Sequence, residues 1–311
     1  MEVKAWEYDE FPEFTDDVEG AIWLNTTGDE SGAYYLPNVE YQCVGGVPRV
    51  LQILIPSSRN ARAPRDGNTA PYAYPCVVYV QGSAWMKQNV YANLPCIAHL
   101  ADFGYVVAIV QYRESGVGVF PDQVRDARNA VRFMRVHATE YAVDPTRVAI
   151  MGDSSGGHTA TYAGILHDDD TEHNLFPGIS AEVPAIVNYY GSTDLSFADS
   201  NPTTTNHNMP DSPEGMVMGG IDLKQDRDAC ERLTVRYNID ESTDIAPILT
   251  LHGTKDRMVN ARCSVLLHQH LLATGHESHL YLLRGADHGG PEFWTPEALS
   301  IVDAFLRAHL G

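Results

Sequence analysis

Short apolar runs recur along the chain and carry the main signal of its fold. The runs at 76–80 and 105–110 contain no charged position, which is typical of strands covered on both faces of a sheet. The runs at 40–43 and 50–55 include polar residues and predict two edge strands. Taken together, the runs predict eight strands, over residues 40–43, 50–55, 76–80, 105–110, 147–150, 185–189, 248–251 and 279–283.

The segments between these runs place apolar residues at helical spacing. The clearest example has Val124, Val131 and Met134 at helical intervals and Pro121 in the first turn. Strands that alternate with helices predict an α/β protein, built as a three-layer α/β/α sandwich around a mostly parallel, eight-stranded sheet. The predicted helices cover residues 93–103, 121–141, 159–167, 261–274 and 296–310.

Two segments depart from this alternation. Residues 193–243 are polar and weakly patterned and contain Pro202, Pro210 and Pro213, and an insertion of this length in a compact α/β domain predicts a lid or cap. Residues 1–30 are acidic and aromatic, and we interpret them as an N-terminal arm or a cap over the site. The remaining chain, 31–311, is predicted to form one main domain that carries the insertion.

Composition and charge exclude several classes of protein. The formal net charge of −20 disfavours nucleic acid and anionic membranes as partners, because both select basic surfaces. The N-terminus has no apolar signal region, and no run of about 18 apolar residues occurs, so we expect no membrane contact. Five scattered cysteines without a Cys-x-x-Cys pair predict reduced thiols, no zinc site and a cytoplasmic location. A signal segment removed from the chain and a homo-oligomeric state are both left open.

The most informative motif is Gly152-Asp153-Ser154-Ser155-Gly156. It lies between a predicted strand and a predicted helix, where a Gly-x-Ser-x-Gly sequence forms the tight turn that exposes a nucleophilic serine. Glycines are needed because side chains there would collide with the neighbouring strand and helix. Ser154 is the predicted nucleophile, since it alone has glycines two positions away on both sides.

A nucleophilic serine needs a base, and the base needs an orienting carboxylate. Asp256 and His288 each follow one of the last two predicted strands, where open α/β sheets form their sites. We therefore predict that Asp256 orients His288 and that His288 takes the proton from Ser154. The order serine, acid, histidine along the chain agrees with this assignment.

Other residues compete for these roles. Asp194 also follows a strand and is the main rival to Asp256, while Asp287 is too close to His288 in sequence to orient it easily. His158 is predicted to be a packing residue, and His252 a packed neighbour of the site. The acidic cluster at 167–173 is predicted to be a solvated loop rather than a cation site, so no metal is expected.

A third requirement is a group of donors for a developing oxyanion. The strand at 76–80 ends in Gln81-Gly82-Ser83-Ala84-Trp85, a loop in which Gly82, Ser83 and Ala84 are small. We predict that the backbone amides of Gly82, Ser83 and Ser155 point at this oxyanion.

With these motifs, the chain resembles the α/β-hydrolase-fold carboxylesterases. The resemblance covers residue 40 to the C-terminus and is greatest to carbohydrate acetylesterases, bacterial and fungal feruloyl-esterase-type proteins and hormone-sensitive-lipase-like esterases. Gln81 and Ser83 depart from the usual His and Gly of the oxyanion motif, although neither change removes a backbone donor. The matching residues are Gln81 to Trp85, Tyr112-Arg113, Phe120-Pro121, Asp126, Asp144-Pro145, Arg147, the serine motif, Asp256 and His288.

The resemblance implies a serine carboxylesterase without metal or organic cofactor. Its substrates would be short-acyl or hydroxycinnamoyl esters, such as acetyl or feruloyl esters of carbohydrate fragments, with Trp85 and the insertion shaping the pocket. An amide hydrolase of the kynurenine-formamidase or peptidase type is an alternative. A catalytically inactive hydrolase fold that serves as a binding module is the third hypothesis.

Overall fold

A computed structural model describes residues 4–27, 30–58, 73–167, 171–196 and 201–311. Within this part of the chain, eight strands form one sheet in the order β1-β2-β4-β3-β5-β6-β7-β8. β2 runs antiparallel to β1 and β4, and all other neighbours are parallel, which confirms the predicted architecture. The strands are β1 Ser31–Val44, β2 Val47–Ser58, β3 Tyr74–Val80, β4 Val106–Val110, β5 Val143–Asp153, β6 Ile186–Tyr189, β7 Ile248–Gly253 and β8 Ser278–Leu283.

Helices cover both faces of the sheet and complete the three layers. One apolar cluster packs α3, α4 and α7 against one face, and a second packs α1, α2 and α8 against the other. Because β3 and β4 are covered on both sides, all five residues of β4 are buried, as their apolar run predicted. The helices are α1 Leu94–Ile97, α2 His99–Asp102, α3 Asp122–Val136, α4 Ser155–Ala163, α5 Pro213–Val217, α6 Arg227–Leu233, α7 Arg262–Ala273 and α8 Pro296–Leu310.

Most elements differ from their predicted bounds by up to four residues, and three differ by more. The single helix predicted over 93–103 is wrong, because the structure forms α1 and α2 there as two one-turn helices. α3 ends at Val136, short of the predicted 141. β1 is far longer than the predicted 40–43, because its first half also pairs with β2, where its residues alternate between exposed and half-buried positions.

The insertion at 193–243 packs on the helix that follows the serine motif. The ring of His158 in α4 donates a hydrogen bond from Nε2 to the Leu233 carbonyl at 2.9 Å, and the Tyr162 hydroxyl donates to the Arg232 carbonyl. Val217 and Leu223 of the insertion are buried in the core cluster on the same face. The insertion therefore has its own anchors on α4, and its role as a lid stays a prediction.

The described part of the N-terminal arm is mostly exposed. Trp6 contacts Phe11 and Phe14 stacks on Trp23, yet about half or more of the surface of each of these four residues faces solvent. A role for the arm as a cap over the site stays a prediction. No helix of the described residues combines the length and apolar character that a bilayer crossing needs.

A buried ion pair fixes the chain after β4. The Arg113 guanidinium donates from Nε and Nη2 to the fully buried carboxylate of Asp126, at distances between 2.8 and 3.1 Å. The backbone amide of Arg113 donates to the same carboxylate at 2.8 Å. This pair therefore ties the end of β4 to α3 at the edge of the sheet that carries the site.

Asp126→Ala should lower the free energy of unfolding by about 3 kcal/mol, because it leaves the Arg113 charge without its buried partner. Urea denaturation followed by circular dichroism measures the loss. Asp102→Ala is the matched control, since Asp102 pairs with His99 at an exposed site where an ion pair contributes less than about 1 kcal/mol. Equal losses in the two variants would contradict the anchoring role of Asp126.

Candidate active site

Ser154 occupies a strained turn between β5 and α4. Its φ of 52° and ψ of −127° lie outside the regions that L-residues favour. The turn is possible because its flanking glycines lack side chains: a Cβ on Gly152 would lie 2.2 Å from the Gly156 carbonyl oxygen, and a Cβ on Gly156 would lie 2.0 Å from the Val80 carbonyl oxygen. The predicted steric role of both glycines is confirmed.

The structure brings Ser154, His288 and Asp256 together in one line. The distance from Ser154 Oγ to His288 Nε2 is 2.8 Å, and that from His288 Nδ1 to Asp256 Oδ2 is 2.7 Å. The loops after β7 and β8 place the acid and the imidazole beside the serine turn after β5. Ser154 and His288 are partly exposed, whereas the Asp256 side chain is buried. This is the geometry required for a base that is oriented by a carboxylate.

The environment of Asp256 keeps its carboxylate charged. Burial by itself would raise the pKa of this carboxyl, but hydrogen bonds from His252 and His288 outweigh burial and lower the pKa to about 2. The amides of Met258 and Val259 donate to Oδ1 at 2.9 and 2.8 Å. Asp256 is therefore an ionised acceptor at neutral pH.

The rival acids are committed elsewhere. Asp194 forms an ion pair with Arg236 and accepts the Ser196 amide at 2.9 Å. Asp287 accepts the backbone amide of His288 at 2.9 Å, and its other oxygen pairs with Arg257. Neither carboxylate bonds to the His288 imidazole, so the geometry favours Asp256.

The predicted oxyanion donors need a correction. The Gly82 amide donates to Asp153 Oδ1 at 2.8 Å, and the Ser83 amide donates to Ser155 Oγ at 2.9 Å. Both hydrogens are therefore directed at side chains rather than at a reacting carbonyl. The amide of Ser155, the first of α4, is at the serine turn as predicted, and within the described residues it and the Ala84 amide have no hydrogen-bond acceptor.

Trp85 does not line a pocket, contrary to the prediction. Its side chain is only 1% exposed and packs under the serine turn, with the ring edge-on to His158. The indole N–H donates to Thr159 Oγ1 at 3.2 Å. The wide ring is buried because the loop after β3 folds back onto α4. His158 is fully buried beside it, as predicted for a packing residue, and burial lowers its pKa to about 4.

Sequence reasoning missed two residues beside the serine. Asp153 lies next to Ser154, is buried, and accepts the Tyr79 hydroxyl at 2.9 Å as well as the Gly82 amide. Burial raises its pKa, although these donors oppose the rise. Tyr190 follows β6 and packs its ring edge-on to His288, with the ring centroids 4.9 Å apart. A carboxylate inside the serine motif was a visible signal, whereas nothing local marked Tyr190.

No group of three or more histidine, cysteine, aspartate or glutamate side chains that could hold an ion occurs among the described residues. Asp168 to Asp170, at the centre of the acidic cluster at 167–173, lie outside those residues.

Comparison with known proteins relates the chain to a protein family and to named relatives. A family model described as BD-FAE matches residues 65–271. "Probable carboxylic ester hydrolase LipM" of Mycobacterium tuberculosis is 28% identical over 191 residues, which are 60% of this chain and 42% of that protein. The chain spans about half the length of the curated relatives it matches.

Solved structures share the fold. "Truncated form of carbohydrate esterase from gut microbiota" has a TM-score of 0.74 at 23% identity and covers 91% of this chain and 98% of that chain. A "Bifunctional GH43-CE" of Bacteroides eggerthii has a TM-score of 0.69 at 25% identity, covering 92% of this chain and 39% of that chain. With the sheet order, these likenesses show that the chain has the α/β-hydrolase fold.

Asp256→Asn should slow the labelling of Ser154 by a fluorophosphonate reagent about 10³- to 10⁴-fold, because an amide can favour the wrong tautomer of His288. Mass spectrometry of the intact protein follows the adduct over time. Asp194→Asn is the matched control and should keep the labelling rate within about threefold, since Asp194 does not bond to His288. The opposite ranking of the two variants would identify Asp194 as the orienting acid.

Proposed function

Because this chain belongs to the BD-FAE family, we propose that it is a serine carboxylesterase that acts through an acyl-enzyme. The observation that carries the proposal is the continuous line from Ser154 Oγ through both nitrogens of His288 to Asp256, with contacts of 2.8 and 2.7 Å. The strained turn exposes the serine oxygen at the end of a parallel sheet, where such enzymes bind substrates.

The reaction follows from this line. Ser154 Oγ attacks the ester carbonyl while its proton moves to His288 Nε2, and Asp256 stabilises the imidazolium that forms. His288 then gives this proton to the leaving alcohol as the carbon–oxygen bond breaks. In the second half, His288 takes a proton from water, the hydroxide adds to the acyl group, and Ser154 leaves with its proton restored.

Two backbone amides are proposed to bind the oxyanion. Ser155 supplies one, because the residue after the nucleophile begins a helix whose first amides favour negative charge. Ala84 supplies the other, since the loop after β3 passes close to Ser154 and its Gly82 and Ser83 amides are already engaged.

The Ser155 side chain holds this loop in place. Its Oγ accepts the amides of Ser83 at 2.9 Å and Trp85 at 3.2 Å, on either side of Ala84. The hydroxyl hydrogen is then free to point at Tyr112 Oη, 3.3 Å away. One buried hydroxyl therefore determines where the Ala84 amide lies relative to the serine turn.

The proposed substrates are short-acyl or hydroxycinnamoyl esters of carbohydrate fragments. Support comes from the solved structure named "Bifunctional GH43-CE", at 25% identity, and from the relative named "Probable carboxylic ester hydrolase LipM". The partial exposure of Ser154 and His288 is consistent with an ester carbonyl that enters from solvent.

A substrate panel tests this assignment. The wild-type protein should hydrolyse p-nitrophenyl acetate, methyl ferulate and acetylated xylooligosaccharides faster than N-formylkynurenine, and kcat/KM for each separates the classes. Ser154→Ala should lower ester hydrolysis by about 10³- to 10⁶-fold without lowering the melting temperature. Turnover of the amide alone would favour an amide hydrolase, and no turnover by folded, phosphonate-unreactive protein would favour a binding module.

Ser155→Ala should lower kcat for p-nitrophenyl acetate about 10-fold, because the loop that carries the Ala84 amide loses its anchor and transition-state stabilisation weakens. Thr161→Val is the matched control: Thr161 is buried in the same helix, and within the described residues its hydroxyl bonds only to the Gly157 carbonyl. A wild-type kcat in Ser155→Ala would show that this hydroxyl does not position the loop.

A further inference from the structure

A second histidine, His252, contacts the acid of the proposed triad and is buried. His252 is the fifth residue of β7, is fully buried, and within the described residues has no hydrogen bond to Ser154 or His288. Its Nε2 lies 3.1 Å from Asp256 Oδ2 and 2.9 Å from the Val259 carbonyl oxygen. Its Nδ1 lies 2.7 Å from the hydroxyl of the buried Ser264 in α7.

These contacts fix the proton on the ring. Both neighbours of Nε2 are acceptors, so Nε2 carries a hydrogen and donates it between the Asp256 carboxylate and the Val259 carbonyl. The Ser264 hydroxyl is then the donor to Nδ1 in the neutral ring. His252 is therefore a donor of fixed orientation to the loop that carries Asp256, and Ser264 keeps its ring in the tautomer that donates from Nε2.

Two imidazoles share one oxygen of Asp256. Oδ2 accepts His288 Nδ1 at 2.7 Å and His252 Nε2 at 3.1 Å, while Oδ1 accepts two backbone amides. All four acceptor positions of the carboxylate are filled. Loss of the His252 donor would leave one buried position empty and loosen the orientation of the carboxylate, while its bond to His288 remains.

We propose that His252 is a positioning residue that acts through Asp256: it holds the carboxylate in the rotamer that orients His288 and limits the negative charge that His288 experiences. The inference rests on the proposed function, because it assigns a second support to the same triad. His252 is not a catalytic residue, since it contacts neither the nucleophile nor the base.

The other charged or titratable groups that face His288 stay the same when His252 is replaced. Asp256 faces it from the loop after β7, Asp153 from the end of β5, and Tyr190 from the end of β6. Asp287, beside it in the chain, is paired with Arg257. Among the groups that face His288, a change at His252 therefore alters only Asp256, and a less neutralised carboxylate should stabilise the protonated imidazole of His288.

Two substitutions at one position separate this role from packing. Asn places its amide nitrogen where Nδ1 lies, so His252→Asn keeps a polar group near Ser264 and loses the donor to Asp256. Gln is longer and brings a donor to the position of Nε2, so His252→Gln restores the contact. We expect His252→Asn to lower kcat for p-nitrophenyl acetate about 10- to 100-fold with little change in KM.

The pH profile gives the decisive readout. In His252→Asn the acid limb of kcat/KM should move to higher pH by about 0.5 to 1 unit, and in His252→Gln both kcat and the limb should return toward wild type. His268→Asn is the matched control, because His268 Nδ1 lies 2.9 Å from the Ser278 hydroxyl in a similar pair that does not contact Asp256. It should change neither quantity.

Several outcomes would overturn the inference. These are a wild-type kcat in His252→Asn, an unmoved acid limb, or equal losses in the Asn and Gln variants, which would indicate packing alone. If His252→Asn melts below the assay temperature, Ser264→Ala replaces it and should shift the limb in the same direction.

An NMR titration of the His288 imidazole reads the same shift without substrate. A raised pKa in His252→Asn therefore supports the inference even if the wild-type protein hydrolyses no ester, in which case only the proposed function fails. An unchanged His288 pKa in an active enzyme overturns the inference alone.

Discussion

The close approach of three backbone segments at the serine turn is the constraint on which the site depends. β3, the end of β5 and the start of α4 meet where any side chain at Gly152 or Gly156 would overlap a carbonyl group, with a Cβ at 2.2 or 2.0 Å from the nearest oxygen. This contact forces Ser154 into its positive φ and brings the loop after β3 beside the turn. The nucleophile and the proposed oxyanion donors are thus positioned by the same packing.

Much of the fold and the triad followed from the sequence because their signals are local. The buried strands β3 and β4 coincide with apolar runs, and the serine motif, Asp256 and His288 each follow a strand that the sequence predicted. Parallel strands gather their ends at one edge, so correct strands were enough to predict that these three side chains meet. The first half of β1 was missed because it lies at the edge of the sheet, where its positions stay exposed or half-buried and lack the fully buried run that marks the central strands.

The rest of the site depends on contacts that local sequence does not encode. The Gly82 and Ser83 amides were predicted to face the oxyanion, but the side chains of Asp153 and Ser155, more than 70 positions away along the chain, accept their hydrogens. Trp85 was predicted to line the pocket, yet the fold of the same loop buries it against α4. Tertiary packing determines the partners of backbone hydrogen bonds. A sequence motif therefore predicts that the loop is present but not which groups its amides bond to.

The attachment of the insertion to α4 has a consequence for how such proteins diversify. His158 and Tyr162 donate hydrogen bonds to the carbonyls of Leu233 and Arg232, and both lie on α4, the helix that begins directly after the nucleophile. Segments that are fastened to a catalytic helix in this way cannot be exchanged between homologues as independent modules. A chimaera that carries a segment from another protein at 193–243 would lose the matching contacts on α4, directly behind Ser154. These contacts would be kept only if the residues that pair with that segment, at positions 158 and 162, are transferred with it.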